Sequence, residues 1–210
     1  MKFPFFSSFI LFIIVLRLFI IKGDKADEKA EADFWERERA ANEVRRKSLD
    51  DLHYISIPFD NFPMELPVGN TAEEKETLAA CRATLTSLAE KKMVNFNGIS
   101  NTDLKFSYGV ANLPTLSEYD QNYTDLITCL QTFGKTLYTM DCLEEAKTVL
   151  EFSITTGSDI GDTFQTLAQI YAKAGQFEKI QELIERAQEL HSPLKASIVQ
   201  KLQQFGPDTD

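Results

Sequence analysis

The sequence predicts an all-α protein in which an N-terminal transmembrane helix precedes an array of antiparallel helix pairs. Residues 3–21 form an apolar run of membrane-spanning length. Residues 127–194 align with themselves at a shift of 34 without a gap, and from residue 71 onward apolar residues recur at helical spacing. Apolar residues make up 43% of the chain, which is enough for a hydrophobic core.

The apolar run predicts a transmembrane anchor at residues 1–21. Its nineteen residues from Phe3 to Ile21 include one charge, Arg17, and as a helix they rise roughly 28 Å, about one hydrocarbon thickness. A cleaved signal peptide is the alternative, but the A-x-A triplet at 30–32 lies well past the run. Basic residues are more numerous after the run than before it, which predicts a single-pass protein of the cell membrane with its C-terminal domain in the cytoplasm.

Two charged segments follow the anchor. Residues 22–32 predict a solvated linker, and residues 33–47 predict a juxtamembrane helix with acidic residues first and basic residues last, as the helix dipole favours. One interpretation lays this helix on lipid headgroups through the basic triplet at 45–47. The other, which its balanced charge favours, leaves it solvent-exposed with Phe34 or Trp35 docked on the domain.

Residues 48–70 predict a proline-rich extended arm. Prolines at 58, 63 and 67 exclude a helix there. The apolar side chains between them, such as Phe59 and Phe62, favour an intramolecular strap that packs along the helical domain, and a partner-binding motif is the alternative.

Residues 71–205 predict one helical domain. Its repeats occupy 127–160 and 161–194, a cap helix at 194–205 covers the end of the array, and 206–210 form a frayed tail. Two repeats are fewer than the roughly three that such arrays need, so further helices must complete the core. These are predicted at 71–92 and 101–108, and the first of them carries the apolar stripe Leu78, Cys81, Leu85 and Leu88.

The second repeat carries a family resemblance in Phe164, Leu167, Ala168, Tyr171, Gly175, Phe177, Ala187 and Pro193. Together with Gly134, Leu143 and Ala146 of the first repeat, these residues resemble the tetratricopeptide repeat (TPR) pattern. The chain departs from it at Ile180, where the family usually has alanine, and at Asp141, where it usually has glycine. Through segments 34–38 and 98–104 the whole chain also resembles a group of single-anchor membrane proteins of anaerobic Gram-positive bacteria, for which no function is established.

The tetratricopeptide resemblance implies a concave groove lined by the first helix of each repeat. The groove positions hold Thr128, Gln131, Lys135 and Tyr138, then Asp162, Gln165, Gln169 and Lys173. Lys135 and Lys173 would grip a peptide carboxylate, and the glutamines suit hydrogen bonds to an extended backbone. A solvated polar face is the plainer interpretation, because the family's carboxylate clamp has more basic and amide positions than this groove.

Composition narrows the function classes. Residues 48–210 hold 12 basic and 24 acidic side chains, an acidic balance that argues against nucleic-acid binding. The three cysteines have no metal-type spacing and suit a reducing compartment, and the histidines, His53 and His191, have no nucleophile or metal ligand nearby in sequence. With no catalytic motif, the sequence predicts no enzyme, no cofactor and no metal site.

These patterns together predict a membrane-anchored protein–protein interaction module. Its partner is an unidentified protein that offers a peptide or helix segment to the TPR-like groove, and the sequence leaves the oligomeric state open. The alternative is an outward-facing or secreted helical protein with a structural role in the cell envelope.

Overall fold

The computed structural model describes residues 4–65 and 67–205, and every regular element in these ranges is a helix. The α-helices in order are α1 (Pro4–Asn42), α2 (Ala72–Leu88), α3 (Asn101–Tyr108), α4 (Leu113–Thr139), α5 (Leu143–Thr155), α6 (Gly161–Lys173), α7 (Phe177–Glu189) and α8 (Lys195–Leu202). Short 3-10 turns occupy Phe59–Asn61, Val110–Asn112 and Gln203–Phe205. The all-α prediction is confirmed, and the predicted tail at 206–210 lies outside the described residues.

Helix α1 differs from the segments predicted for it. It runs unbroken from Pro4 to Asn42, so the predicted linker at 22–32 is helical and the helix predicted to reach residue 47 ends five residues earlier. Alanine, glutamate and lysine are strong helix formers and the linker has no proline, so the helix propagates through it. Among the described residues, no helix is both long enough and apolar enough to cross a membrane. The predicted anchor at 1–21 begins outside those residues, and most of its side chains lie outside them too.

The chain divides into two compact units. The first consists of Met1–Ser48 with Ser100–Leu113, and the second of Leu49–Ile99 with Pro114–Asp210. Helix α3 therefore belongs with α1, and the prediction that it completes the core of a domain at 71–205 is wrong.

In the first unit, polar contacts join α1 to α3. Glu38 accepts hydrogen bonds from Lys105 and from the hydroxyl of Thr102, and these bonds lower the pKa of the Glu38 carboxyl below its usual value. The expectation that Phe34 or Trp35 docks this helix is wrong, because their exposed fractions are 51% and 54%. The contact consists mainly of bonds to carboxylates and a hydroxyl, and the Arg37 guanidinium also lies 5.9 Å from the centroid of the Phe106 ring on α3.

The segment after α1 is held by a buried asparagine. Asn112 accepts a hydrogen bond from Arg46 at 2.9 Å and donates to the carbonyls of Lys47 at 2.8 Å and Tyr108 at 2.7 Å. Its side chain is fully buried, so these bonds replace the water that it loses. Two of the three basic residues that one interpretation places on lipid headgroups, Arg46 and Lys47, thus contact α3 or the 3-10 turn that follows it.

The second unit reproduces the 34-residue period in its helix bounds and turns. Shifting α5 by 34 residues gives the bounds of α7. The turns before them contain Asp141 and Gly175, which are 34 apart and have φ of 61° and 69°. In each turn an N–H from residue 142 or 176 bonds back to the carbonyl five residues earlier, at 3.0 and 2.8 Å, as at helix ends closed by a left-handed residue. Asp141 adopts a left-handed conformation that favours glycine but that aspartate tolerates.

Aligned positions of the two repeats are also buried alike. Seven pairs are buried in both members: Leu130/Phe164, Phe133/Leu167, Gly134/Ala168, Leu137/Tyr171, Ala146/Ile180, Leu150/Ile184 and Ser153/Ala187. Two pairs are not, because Phe177 opposite Leu143 is exposed and Ser192 opposite Ser158 is half-buried. The sequence period is therefore a period of packing.

Helices on both sides of the repeats complete this core. The α2 stripe is buried along its length, and the apolar arm residue Phe62 is buried with it. Arg82 of α2 holds the arm, because its guanidinium donates to the carbonyls of Pro63 and Pro67 at 3.1 and 2.8 Å. At the other end, α8 begins 34 residues after α6 and packs on α6 and α7, so the predicted cap repeats the start of a repeat's first helix.

Candidate functional site

The eight predicted groove residues occupy one face each of α4 and α6. Thr128, Gln131, Lys135 and Tyr138 stand on α4, and Asp162, Gln165, Gln169 and Lys173 on α6. All eight are exposed or half-buried, whereas the residues between them, such as Phe133 and Leu167, are buried in the core. Helical periodicity thus separates a packing face from a solvent face on each helix. We call the solvent faces together the α4–α6 groove.

An ion pair brings these two faces together. Lys135 Nζ lies 3.2 Å from Asp162 Oδ2, across 27 residues of sequence. The two side chains are 55% and 56% exposed, so the pair is a surface contact of about 0.2–1 kcal/mol. Such a pair opens at low cost, which leaves Lys135 available to an incoming carboxylate.

A cation–π contact joins the same helices further along. Lys173 Nζ lies 4.6 Å from the centroid of the Tyr138 ring, a distance at which the ring face attracts a cation. The structure therefore gives each predicted groove lysine a partner from the opposite helix. The sequence indicates neither partnership, because each joins residues from different repeats.

The groove amides make mainly local bonds. Gln165 Nε2 donates to the carbonyl of Gly161 at 3.2 Å, and Gln131 Oε1 accepts from Thr132 at 3.4 Å. Each amide therefore retains hydrogen-bonding capacity beyond this one bond. Gln169 and Thr128 lie exposed on the same faces.

A cavity of about 460 Å³ lies where α4, α6 and α8 meet. Its lining residues are Gln131, Asp159, Ile160, Gly161, Asp162, Leu194, Ser197, Ile198 and Lys201. Two of them, Gln131 and Asp162, are predicted groove residues. Of its apolar lining residues, Leu194 is exposed and Ile198 is buried. Two predicted groove residues thus line the same cavity as the apolar Ile160 and the basic Lys201 of α8.

A larger cavity of about 610 Å³ was not predicted from the sequence. Its lining includes Asn95, Asn97, Asp159, Phe164, Glu182, Glu185, Arg186, Glu189 and His191. The loop at 95–99 forms one wall, and the exposed face of α7 supplies most of the charge. No sequence signal places that loop beside α7, since they are about ninety residues apart. Among the described residues, no group of three or more His, Cys, Asp or Glu side chains is placed to hold a metal ion.

A half-buried hydrogen bond links α5 to α6. Tyr171 donates its hydroxyl to Glu151 at 2.6 Å. Burial and then this acceptor raise the pKa of the Tyr171 phenol. The phenol thus stays protonated near neutral pH and serves packing, since ionisation would put a second negative charge beside Glu151.

Comparison with protein families, with curated proteins and with solved structures finds no match to this chain.

Proposed function

We propose that this protein is a membrane-anchored interaction module that holds a short peptide or helix segment in the α4–α6 groove. The contact between Lys135 and Asp162 carries the proposal, because it joins one predicted groove residue from each repeat at 3.2 Å. A TPR-like array, a groove ligand and an anchor at 1–21 are all parts of this proposal.

The groove chemistry favours a ligand that carries a carboxylate. A ligand carboxylate at Lys135 displaces Asp162 and exchanges one weak surface ion pair for another. Lys173 supplies a second cation on the face of Tyr138, and the amides of Gln131, Gln165 and Gln169 offer donors and acceptors to a peptide backbone. The acidic remainder of the domain repels acidic ligands elsewhere and so confines them to this strip.

The 460 Å³ cavity supplies the apolar part of recognition. Ile160, Leu194 and Ile198 line it beside two groove residues. One apolar side chain of the ligand fills this hollow while its carboxylate reaches the lysines. A short acidic segment with one large apolar residue therefore suits the groove better than a uniformly charged one.

The apolar run at 1–21 supports a membrane location, and the basic residues that follow it support a cytoplasmic domain. Anchoring raises the effective concentration of the groove near membrane-bound partners without any new contact. The module then acts by confinement, and its intrinsic affinity stays modest.

Charge reversal tests the groove. Peptides selected from a displayed random library on the full-length chain in detergent micelles are expected to bind the Lys135→Glu/Lys173→Glu variant at least about tenfold more weakly, because each reversal removes a hydrogen bond to a charged group. Fluorescence anisotropy measures the dissociation constants. The matched control, Lys75→Glu/Lys91→Glu, makes the same charge change at exposed lysines outside the groove and leaves binding within about twofold. Equal binding to both double variants would remove the groove proposal.

Protease treatment of intact cells tests the orientation. With the domain in the cytoplasm, protease added outside leaves residues 49–205 intact and degrades them after the cells are permeabilised. Immunoblotting of the C-terminal domain gives the readout, and a known extracellular protein is the control. Degradation of the domain in intact cells would favour the outward-facing alternative.

A further inference from the structure

Two cysteines from distant parts of the sequence face each other in the core of the second unit. Cys81 lies on α2 and Cys129 on α4, with exposed fractions of 6% and 8%. Each thiol reaches the backbone of the other residue, since Cys129 Sγ lies 3.4 Å from the Cys81 carbonyl oxygen and Cys81 Sγ lies 3.9 Å from that of Cys129. Because each thiol reaches the backbone of the other residue, Cys81 and Cys129 lie directly opposite each other on neighbouring helices.

The two thiols also differ in acidity. A hydrogen bond from Cys129 lowers the pKa of the Cys81 thiol, with a smaller contribution from the neighbouring Arg82 guanidinium. The contact with Cys81, together with burial, raises the pKa of Cys129. Cys81 is therefore the thiol that ionises first, and a thiolate is the form that attacks a disulfide.

We propose that Cys81 and Cys129 form a disulfide that joins α2 to α4 when the protein meets a disulfide oxidant, such as oxidised glutathione or a dithiol oxidase. The Cys81 thiolate attacks one sulfur of the oxidant, forms a mixed disulfide and releases one oxidant thiolate. The Cys129 thiol loses its proton and attacks Cys81 Sγ, which forms the Cys81–Cys129 bond and expels the second thiolate. Two cysteine thiols are oxidised to one disulfide, and one oxidant disulfide is reduced to two thiols.

Cys142 serves as an internal comparison. It precedes α5, is half-buried, and contacts the carbonyl of Met140 at 3.7 Å. Burial and nearby carboxylates raise the pKa of its thiol. An oxidant that acted by accessibility alone would react at Cys142 before either buried thiol, so preferential pairing of Cys81 with Cys129 has to come from their mutual placement.

The bond would affect the helix that carries half of the groove. Cys129 adjoins Thr128 and precedes Gln131 by two positions on α4. A covalent link from α2 closes the chain between residues 81 and 129 and restricts the unfolded state. The proposed disulfide follows from the contacts between the two cysteines and does not require a ligand in the groove.

Redox titration of the full-length chain tests the proposal. The protein in detergent micelles is equilibrated in glutathione buffers from reducing to oxidising, both folded and during refolding from denaturant, and free thiols are then alkylated under denaturing conditions. Mass spectrometry is expected to find the peptides of Cys81 and Cys129 linked and two hydrogens lighter, with Cys142 alkylated. The oxidised form is expected to melt about 5 °C or more above the reduced form.

Single variants separate the disulfide from other oxidation. Cys142→Ala keeps the cross-link and the change in Tm, while Cys129→Ala loses both. Refolding in the oxidising buffer exposes every thiol, so burial does not explain a failure to react there. The proposal is overturned if Cys81 and Cys129 are still free, and so become alkylated, after refolding in the oxidising buffer. It is also overturned if either one forms a disulfide with Cys142 or with glutathione instead.

Discussion

An Asn95→Ala substitution is expected to cost the second unit about 3 kcal/mol of unfolding free energy and to lower its Tm by about 6 °C or more. The side-chain Nδ2 of Asn95 lies 3.0 Å from the hydroxyl of Tyr123, and 3.1 and 3.2 Å from the carbonyls of Thr156 and Gly157. Tyr123 is almost fully buried, so its hydroxyl loses a partner that water does not readily replace. Thermal and urea unfolding of the full-length chain, followed by circular dichroism, measure the loss.

Asn97→Ala is the matched control for this prediction. Asn97 is exposed, and its backbone N–H, which the substitution keeps, donates to the side chain of Asn95. Its removal is expected to change the unfolding free energy by less than about 0.5 kcal/mol. Adding Tyr123→Phe to Asn95→Ala is expected to cost less than the sum of the two single changes, because the hydroxyl is then already absent. Equal costs at residues 95 and 97 would show that the half-buried amide of Asn95 does not stabilise the second unit.

Much of the second unit follows from its sequence because its regular part depends on local contacts. The 34-residue period that the sequence shows also relates α5, from Leu143 to Thr155, to α7, from Phe177 to Glu189. Burial of the α2 stripe from Leu78 to Leu88 follows from the helical spacing of its apolar residues. An amphipathic helix buries its apolar face against whatever neighbour is present, so these predictions did not require the neighbour to be known.

The first unit was harder to predict because polar pairs between distant residues determine it. Glu38 meets Lys105 across 67 residues, and Arg46 meets Asn112 across 66. Neither pair leaves a periodic signal, whereas Trp35, the most conspicuous apolar residue nearby, attracts a docking prediction and is exposed. Hydrophobicity alone misassigns a contact that consists of charges and hydrogen bonds.

The candidate site was likewise predictable only in part. The sequence places Lys135 and Lys173 on the solvent faces of their helices, because position in the repeat determines the face. Their partners, Asp162 and Tyr138, depend on how one repeat stacks on the next. The facing of Cys81 and Cys129 likewise depends on the packing of α2 on α4. The position of these two cysteines therefore gives no support to a cytoplasmic domain, since cysteines that face each other are as compatible with an oxidising compartment as with a reducing one.

A Gly134→Ala substitution is expected to destabilise the second unit by about 2 kcal/mol, although alanine is the better helix former by about 1 kcal/mol. A methyl group at residue 134 of α4 would lie 2.5 Å from Cγ of Leu150 on α5, and Leu150 is fully buried. Close packing leaves that side chain little room to move, so overpacking exceeds the gain in helix propensity. Chemical denaturation monitored by circular dichroism measures the change.

Gly161→Ala provides the opposite case within the same fold. A methyl group there would lie 3.7 Å from Ile198, an ordinary van der Waals contact, at the first residue of α6. The same substitution is therefore expected to be neutral or to stabilise by up to about 1 kcal/mol. A loss at residue 161 as large as that at residue 134 would mean that glycine is needed at both sites for its backbone, and the clash with Leu150 would not be the cause.

The second repeat has a methyl group at the position that corresponds to Gly134. Where the first repeat has Gly134 and Leu150, the second has Ala168 and Ile184, and all four residues are buried. Isoleucine branches at Cβ where leucine branches at Cγ, so we expect it to place less volume at the contact with the first helix. Transplanting this pair as Gly134→Ala/Leu150→Ile is therefore expected to recover most of the stability that Gly134→Ala loses, because neighbouring substitutions of this kind couple. If the double variant is no more stable than Gly134→Ala, the two repeats cross at different distances although their helix bounds and buried positions agree.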